Sequence, residues 1–514
     1  MVNRDDIGVL ERGGIHAKTS RANIVYILIA GMGSFVFGYA NNCIAGTLAQ
    51  PSFQVSFLSG SNEESIIGGI MGAFLGGGAV GAIVQGPISN HYGRRTATGF
   101  AAILMVIAGA LQAGSVHIAM FLVARLLCGI GAGMVITNCP VYMSEIAPPH
   151  IRGMMVSNHA ISIVYAYIFS SLMALAFSFV SAPYQWRLNY VLLTFFALVL
   201  LVSLFFLPES PRWLYEKGRD KESWEVIQKL HRNEEDPGGE FAKAEMSQIK
   251  AQIEIERALP RGYLHILHTP HLRFRAVLSV LVWFMGQSTG ILVIANLTPT
   301  LFADLGFDTT LQFGLSAAWT VCALLGTFVN AAFMDRIGRV KLLAFGGYIA
   351  AGMLTCEAVL EKYYIGSPNK TGLNAAVAFY FLFIFFYGCT VDCAAYVYIT
   401  EIWPTHLRSY GATIGLVSFF VFAIAYTCPA SQAFAQIGWK YYWVMICTCI
   451  VSATIVYFVC PETAKLTLEE INALFGDEVA QALDQVGNTS AAESVKDAQG
   501  DQASHIESKE ESFK

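Results

Sequence analysis

One recurrence governs what this chain can fold into. Apolar runs of about 20 residues, the length a helix needs to cross a bilayer, follow one another along nearly its whole length. Backbone groups in lipid must be satisfied within the segment, which makes such runs helices. They fall at about 23–43, 66–88, 97–115, 118–140, 155–180 and 189–207, then at 275–296, 311–334, 341–360, 374–400, 409–433 and 440–460. Two sets of six predict an all-α membrane protein with twelve transmembrane helices. The charge content agrees: 13% of the residues are charged and 55% hydrophobic, against about 25% charged in a soluble domain. A net charge of −5 without a basic patch gives no reason to expect a nucleic-acid partner.

The second constraint is an internal repeat. YMSEIAPPHIR, Tyr142 to Arg152, recurs as YITEIWPTHLR, Tyr398 to Arg408. Tyr, Glu, Pro, His and Arg keep their spacing, so Tyr142, Glu145, Pro148, His150 and Arg152 match Tyr398, Glu401, Pro404, His406 and Arg408. A repeat this long means that one half of the chain is related to the other. Further pairs follow the same frame. GPISNHYGRR (Gly86 to Arg95) is echoed by MDRIGR (Met334 to Arg339), and PESPRWL (Pro208 to Leu214) by PETAKLTLEEI (Pro461 to Ile471). In the fourth span, RLLCGIGAG (Arg125 to Gly133) sets small residues where helices can approach closely.

Between the spans the chain divides into 1–22, a polar tail with no cleavable signal peptide expected; 23–207, a first bundle; 208–274, a charged central loop; 275–460, a second bundle; and 461–514, a tail too polar to fold from about 477. The loop holds two amphipathic patterns, DKESWEVIQKLHRN and FAKAEMSQIKAQIEIERAL, that predict short helices outside the bilayer. Basic residues of the short loops collect on one side (Arg94, Arg95, Arg152, Arg336, Arg339, Lys341, Arg408), which puts both termini and the central loop in the cytosol. The sequon at Asn369 then faces outward. The eleven cysteines show no metal-ligand spacing and read as small buried hydrophobes, with no cofactor implied.

These paired motifs resemble the sugar porter family of the major facilitator superfamily, over about residues 23 to 472. The resemblance implies two pseudo-symmetric six-helix bundles around a central cavity and alternating access of a small solute, a sugar or a relative. A plasma-membrane transporter is expected, not an enzyme: HExxH, GxSxG and P-loop patterns are missing from the sequence. The repeated charges Arg94, Glu145, Arg152, Asp335, Arg339, Glu401 and Arg408, with Glu209, cluster at helix ends as a candidate conformational latch. The first loop has Asn90 where the family usually has Asp, which implies a weaker latch in the first half.

For the cavity, the resemblance points to Gln287 and Gly290 in GQSTGIL, to Asn296 where the family has a tyrosine, to Tyr396 in the tenth span and to His159 in the fifth. Asn41, Asn42 and Asn138 are further polar candidates for solute contact. The family's proton-coupling Asp after FGY is Ala40 here, which favours a facilitator over a proton symporter. Asp392, an acid within the tenth span, is the candidate replacement proton site. Several other usual sugar contacts are replaced, with Leu292, Cys393, Phe419 and Phe420 standing at their positions. Two alternatives therefore stay open: a carrier of a non-sugar solute such as an organic acid, polyol or secondary metabolite, and a non-transporting nutrient sensor.

Overall fold

The computed structural model describes residues 21–476 apart from 61, 148–151, 182–183, 368 and parts of 232–261 and 465–473. Eleven helical stretches among the described residues are long and apolar enough to cross a membrane, and the last, Arg408–Val459, contains two long helices joined by a short one, which makes twelve spans. The first six are α1 (Arg21–Ala49), α2 (Glu63–Tyr92), α3 (Arg94–Ala113), α4 (Ile118–Ile146), α5 (Arg152–Ser178) and α6 (Gln185–Ser203). The second six are α7a (Pro270–Ser288) with α7b (Ile291–Asp304), α8 (Thr309–Ile337), α9 (Arg339–Tyr364), α10a (Lys370–Tyr387) with α10b (Cys393–Glu401), α11 (Arg408–Thr427) and α12 (Tyr441–Val459). The described residues beyond Ala464 belong to a separate unit.

Two spans expected to be continuous helices are interrupted. The seventh breaks between Ser288 and Ile291, where Gly290 takes a left-handed φ of 74°. A Cβ there would overlap Met445 Sδ of α12, so glycine answers both the backbone and the packing. The tenth widens into a π-turn, Gly388–Asp392, between its two α-helical parts. That turn leans on α8, where Gly326 and Gly388 let the backbones approach and Asn330 Nδ2 donates to Gly388 O at 3.1 Å.

Packing within the first half centres on α2 against α4. A Cβ at Gly129 or Gly133 would overlap the carbonyl oxygen of Phe74 or Gly78, and one at Gly81 that of Ile130. The small residues of RLLCGIGAG therefore set a backbone-to-backbone contact, as membrane helices use when no hydrophobic force distinguishes neighbour from lipid. Across the halves α2 meets α11, α5 meets α8, and α1 meets α7b. Gly68 sits against Cys428 O and Gly78 against the Phe420 ring, so α2 and α11 close tightly at the end away from the charged loops.

Outside the apolar spans, the first amphipathic pattern forms the helix Asp220–His231. Its Ile227 packs with Ala242 and Met246 of the second pattern, flanked by Tyr215, Trp224 and Ile249. Asn369 is exposed and caps α10a, its side chain accepting from Thr371 N and Gly372 N. All eleven cysteines are free thiols.

Candidate functional site

At the end that carries the charged loops, each half builds the same network. Glu209 of PES accepts from the backbone N–H groups of Arg94, Arg95 and Ser210 at 2.8, 3.1 and 3.0 Å, capping α3. Glu462 of PET does this for α9, accepting from Arg339 N at 2.8 Å and Val340 N at 3.2 Å. The glycine before each helix, Gly93 and Gly338, has positive φ and leaves room for that carboxylate. A carboxylate on a helix N-terminus meets both the free donors and the positive dipole end. Burial raises the Glu209 carboxyl above the usual carboxylate range, and its backbone donors pull it back.

The arginines that start these helices turn to the repeat. Arg94 pairs bidentately with Glu145, Nε to Oε2 at 3.0 Å and Nη2 to Oε1 at 3.0 Å. Arg339 Nη2 reaches Glu401 Oε1 at 3.0 Å, and Thr463 donates to the other Glu401 oxygen. Each of these pairs lies inside its own half. Asn90 accepts from Arg94 Nη1 at 3.3 Å, a neutral acceptor where a carboxylate would pair more strongly. The side chains of Arg152 and Asp335 lie outside the described residues, and Arg408 begins α11 half-buried. Glu462, missed as a site residue, was legible in the PES–PET repeat.

Deeper, the midplane between the halves is lined from both. From the first half, Asn41 Nδ2 donates to Tyr167 OH at 3.1 Å, and Asn42 donates to Tyr167 O and Ser171 Oγ at 3.1 Å each. His159 is buried, its Nδ1 2.7 Å from Ser34 Oγ and its Nε2 without a partner. Its ring meets Tyr396 of the second half edge-on, centroids 6.4 Å apart. Tyr396 packs edge-on against Trp283 at 4.7 Å, and Trp283 against Phe419 at 4.9 Å. Asp392 ends the π-turn, its Oδ2 accepting from Thr327 Oγ1 at 3.3 Å. Asp392, Tyr396 and Tyr167 are enclosed by protein yet keep accessible surface, as side chains lining an internal space do.

Gln287 is 2% exposed and its Nε2 has no hydrogen-bond partner. Asn296 is buried on α7b. Gly290 contributes the break described above, a backbone role. Asn138 is turned inward to the bundle: Nδ2 donates to Arg94 O and Thr98 Oγ1 at 2.7 Å each, and Oδ1 accepts from Ser89 at 3.0 Å. It ties α4 to α2 and α3, and it also borders the space at the charged end, away from the midplane. Trp283 and Tyr167 were not singled out from sequence, since an aromatic in an apolar span is most often packing.

Beside Ala40, Arg125 is 1% exposed, donates Nη1 to Ala40 O at 3.1 Å and lies 4.3 Å over the Phe74 ring. No carboxylate pairs with it among the described residues, and a backbone carbonyl and a ring face take that place.

The space between the halves is uneven. Towards the end opposite the charged loops, a slit bounded by Asn42, Ser171, Thr298, Trp319 and Thr320 holds ≈ 10 Å³. At the charged end a cleft of ≈ 110 Å³ opens among Gln85, Asn90, Asn138, Tyr263, Tyr410 and Thr413.

This arrangement is shared. Residues 26–475 match the family model described as sugar (and other) transporter. The chain belongs to the sugar transporter family. Among relatives, the MFS-type transporter criB of Aspergillus cristatus is 32% identical over 88% of this chain and 92% of its own. A high-affinity glucose transporter of Kluyveromyces lactis is 25% identical over 91% and 88% of the two chains. A galactose-proton symporter of Escherichia coli is 27% identical over 88% and 95%. Among solved structures, the proton:xylose symporter XylE bound to 6-bromo-6-deoxy-D-glucose superposes with a TM-score of 0.74 at 24% identity, covering 89% of this chain and 100% of that one. The twelve-helix architecture of this sugar transporter family member is therefore the major facilitator fold.

Proposed function

We propose that this protein carries a sugar or a closely related polyhydroxylated solute across the plasma membrane by alternating access, as a facilitator rather than a proton symporter. Gln287, Asn296, Asn41, His159 and Tyr396 hold the solute between the halves, with Gly290 giving α7 its break beside them. The observation that carries this reading is Gln287: a buried amide hydrogen-bond donor without a protein partner is costly unless a ligand completes it. Relatives named for glucose and for galactose support the solute class. The facilitator reading rests on Ala40 and on Arg125, whose charge is met by a carbonyl in place of a titrating acid. Both termini and the central loop lie in the cytosol, and Arg94, Glu145, Arg152, Asp335, Arg339, Glu401, Arg408 and Glu209 hold each half's cytoplasmic end in one conformation.

The test is uptake of a radiolabelled sugar panel in a transporter-deficient cell at two pH values, for the natural protein and Asp392→Asn. Sugar uptake indifferent to pH and to the substitution is expected. Uptake that rises in acid and is lost in Asp392→Asn would make the protein a proton symporter with Asp392 as its acid. Absence of sugar uptake from a protein at the cell surface would favour a non-sugar solute, a reading suggested by the aromatic wall of Trp283, Tyr396 and Phe419. For a transported sugar, Gln287→Ala is expected to raise KM about tenfold with little change in maximal rate, the loss of one hydrogen bond of about 1.4 kcal/mol made equally in ground and transition states.

A further inference from the structure

Away from the midplane, the part of α9 remote from the charged loops carries two buried carboxyls one helical turn apart, Glu357 and Glu361, 2% and 7% exposed. Glu361 Oε1 lies 2.8 Å from Tyr380 OH of α10a and 2.8 Å from Tyr442 OH of α12, and the two hydroxyls are 2.6 Å apart. Three oxygens in a closed triangle need three hydrogens, and two tyrosines bring one each. With both hydroxyls pointing at the carboxylate, the shortest edge would set two lone pairs against each other. The ring closes when Glu361 itself supplies the third hydrogen: carboxyl to one tyrosine, that tyrosine to the other, and the second back to Glu361 Oε1.

Glu357 adds that the pair as a whole cannot carry two charges. Neither of its oxygens has a hydrogen-bond partner, and the charged group it faces is Glu361. The titratable groups around the pair are Tyr380, Tyr442 and, at the exposed end of α7b, Asp304. Lys362, the next residue along α9, is exposed and lies over the rings of Tyr363 and Trp439 at 5.1 and 5.2 Å. A buried carboxylate with neither donor nor cation is expensive, and a second one a turn away adds repulsion.

We propose that Glu357 and Glu361 form a proton-binding site in the second half, distinct from the central cavity, which holds a proton on Glu361 in this conformation and exchanges with solvent past Asp304. Removing that proton opens the Glu361–Tyr380–Tyr442 ring and loosens α9 from α10a and α12. Protons at the end remote from the charged loops thus bind and stabilise this part of the fold, whether or not transport is proton-coupled.

The experiment uses the full chain, reconstituted in vesicles and carrying Asp392→Asn so that the central acid contributes nothing. Infrared difference spectra between acid and alkaline buffer are expected to show a protonated-carboxyl band that disappears as pH rises. Glu361→Gln, which keeps side-chain shape, should remove the band, and Glu357→Gln should shift the pH at which it vanishes. Thermal stability should fall from acid to alkaline buffer in the parent and stay level in Glu361→Gln. Tyr442→Phe, a milder change, should move the band's frequency by opening the ring. A band that survives Glu361→Gln, or that ignores both Glu357→Gln and Tyr442→Phe, would overturn the proposal.

Discussion

Arg94→Ala is expected to destabilise the protein by about 3–5 kcal/mol, the range for removing one partner of a buried ion pair. Arg94 is 8% exposed, and its guanidinium makes three bonds to Glu145, one to Ser89 O and one to Asn90 Oδ1. Its loss leaves the Glu145 carboxylate at the end of α4 with its charge uncompensated at about one-tenth exposure. Adding Glu145→Gln to Arg94→Ala should recover part of the loss, since the stranded charge goes with it. Thermal unfolding of the purified protein, run as a double-mutant cycle, measures both effects. Additivity of the two single changes would show that the pair contributes nothing as a pair. The cycle on Arg339 and Glu401 should show a smaller coupling, because that contact uses one nitrogen and its carboxylate is 21% exposed.

Gly133→Val is expected to abolish assembly of the first bundle. The added Cβ would overlap Gly78 O, a backbone atom that moves only if α2 moves with it. The same seam carries Gly129 against Phe74 O and Gly81 against Ile130 O, so no local shift relieves one contact without worsening another. Overpacking a core typically costs about 1–3 kcal/mol where side chains can yield. Here only backbone can, and a loss beyond that range is expected. Surface expression and the size-exclusion profile of a fluorescent fusion would report it. Gly76→Val serves as the control: Gly76 lies on the same helix, two residues from Gly78, with open space where its Cβ would stand. Normal expression of Gly133→Val would mean that α2 and α4 tolerate separation.

Together these contacts describe how the halves work as bodies. Glycine seams and helix-end ion pairs hold each half together, and Arg94–Glu145 and Arg339–Glu401 each stay inside one half. Between the halves the contacts vary along the seam: α2 and α11 close at Gly68 and Gly78, aromatic edges run from His159 to Phe419, and a slit lies at one end and a cleft at the other. Two halves that meet along such a seam can rock about a site held at the midplane.

Much of this was legible in the residues. The twelve spans follow from the requirement that lipid-buried backbone bond to itself, and hydropathy over about 20 residues detects it. The twofold architecture follows from the repeat, and so does the helix-end network, because the same carboxylate caps the same helix in each half: Glu209 on α3 and Glu462 on α9. The close approach of α2 and α4 was written in the glycines of the fourth span.

Tertiary structure alone decided where those helices open and which way their side chains turn. Hydropathy averages over a whole span, so it cannot register the left-handed step at Gly290 or the π-turn that presents Asp392. Helix rotation is set by packing against neighbours. For that reason Asn138, polar and near the charged end of α4, bonds within its own bundle while Tyr167, an ordinary aromatic by sequence, lines the midplane. The Glu361–Tyr380–Tyr442 ring joins three helices whose members lie 19 and 81 positions from Glu361 along the chain. Sequence separation of that size carries no local periodicity to read, and only the packed bundle brings the three oxygens together.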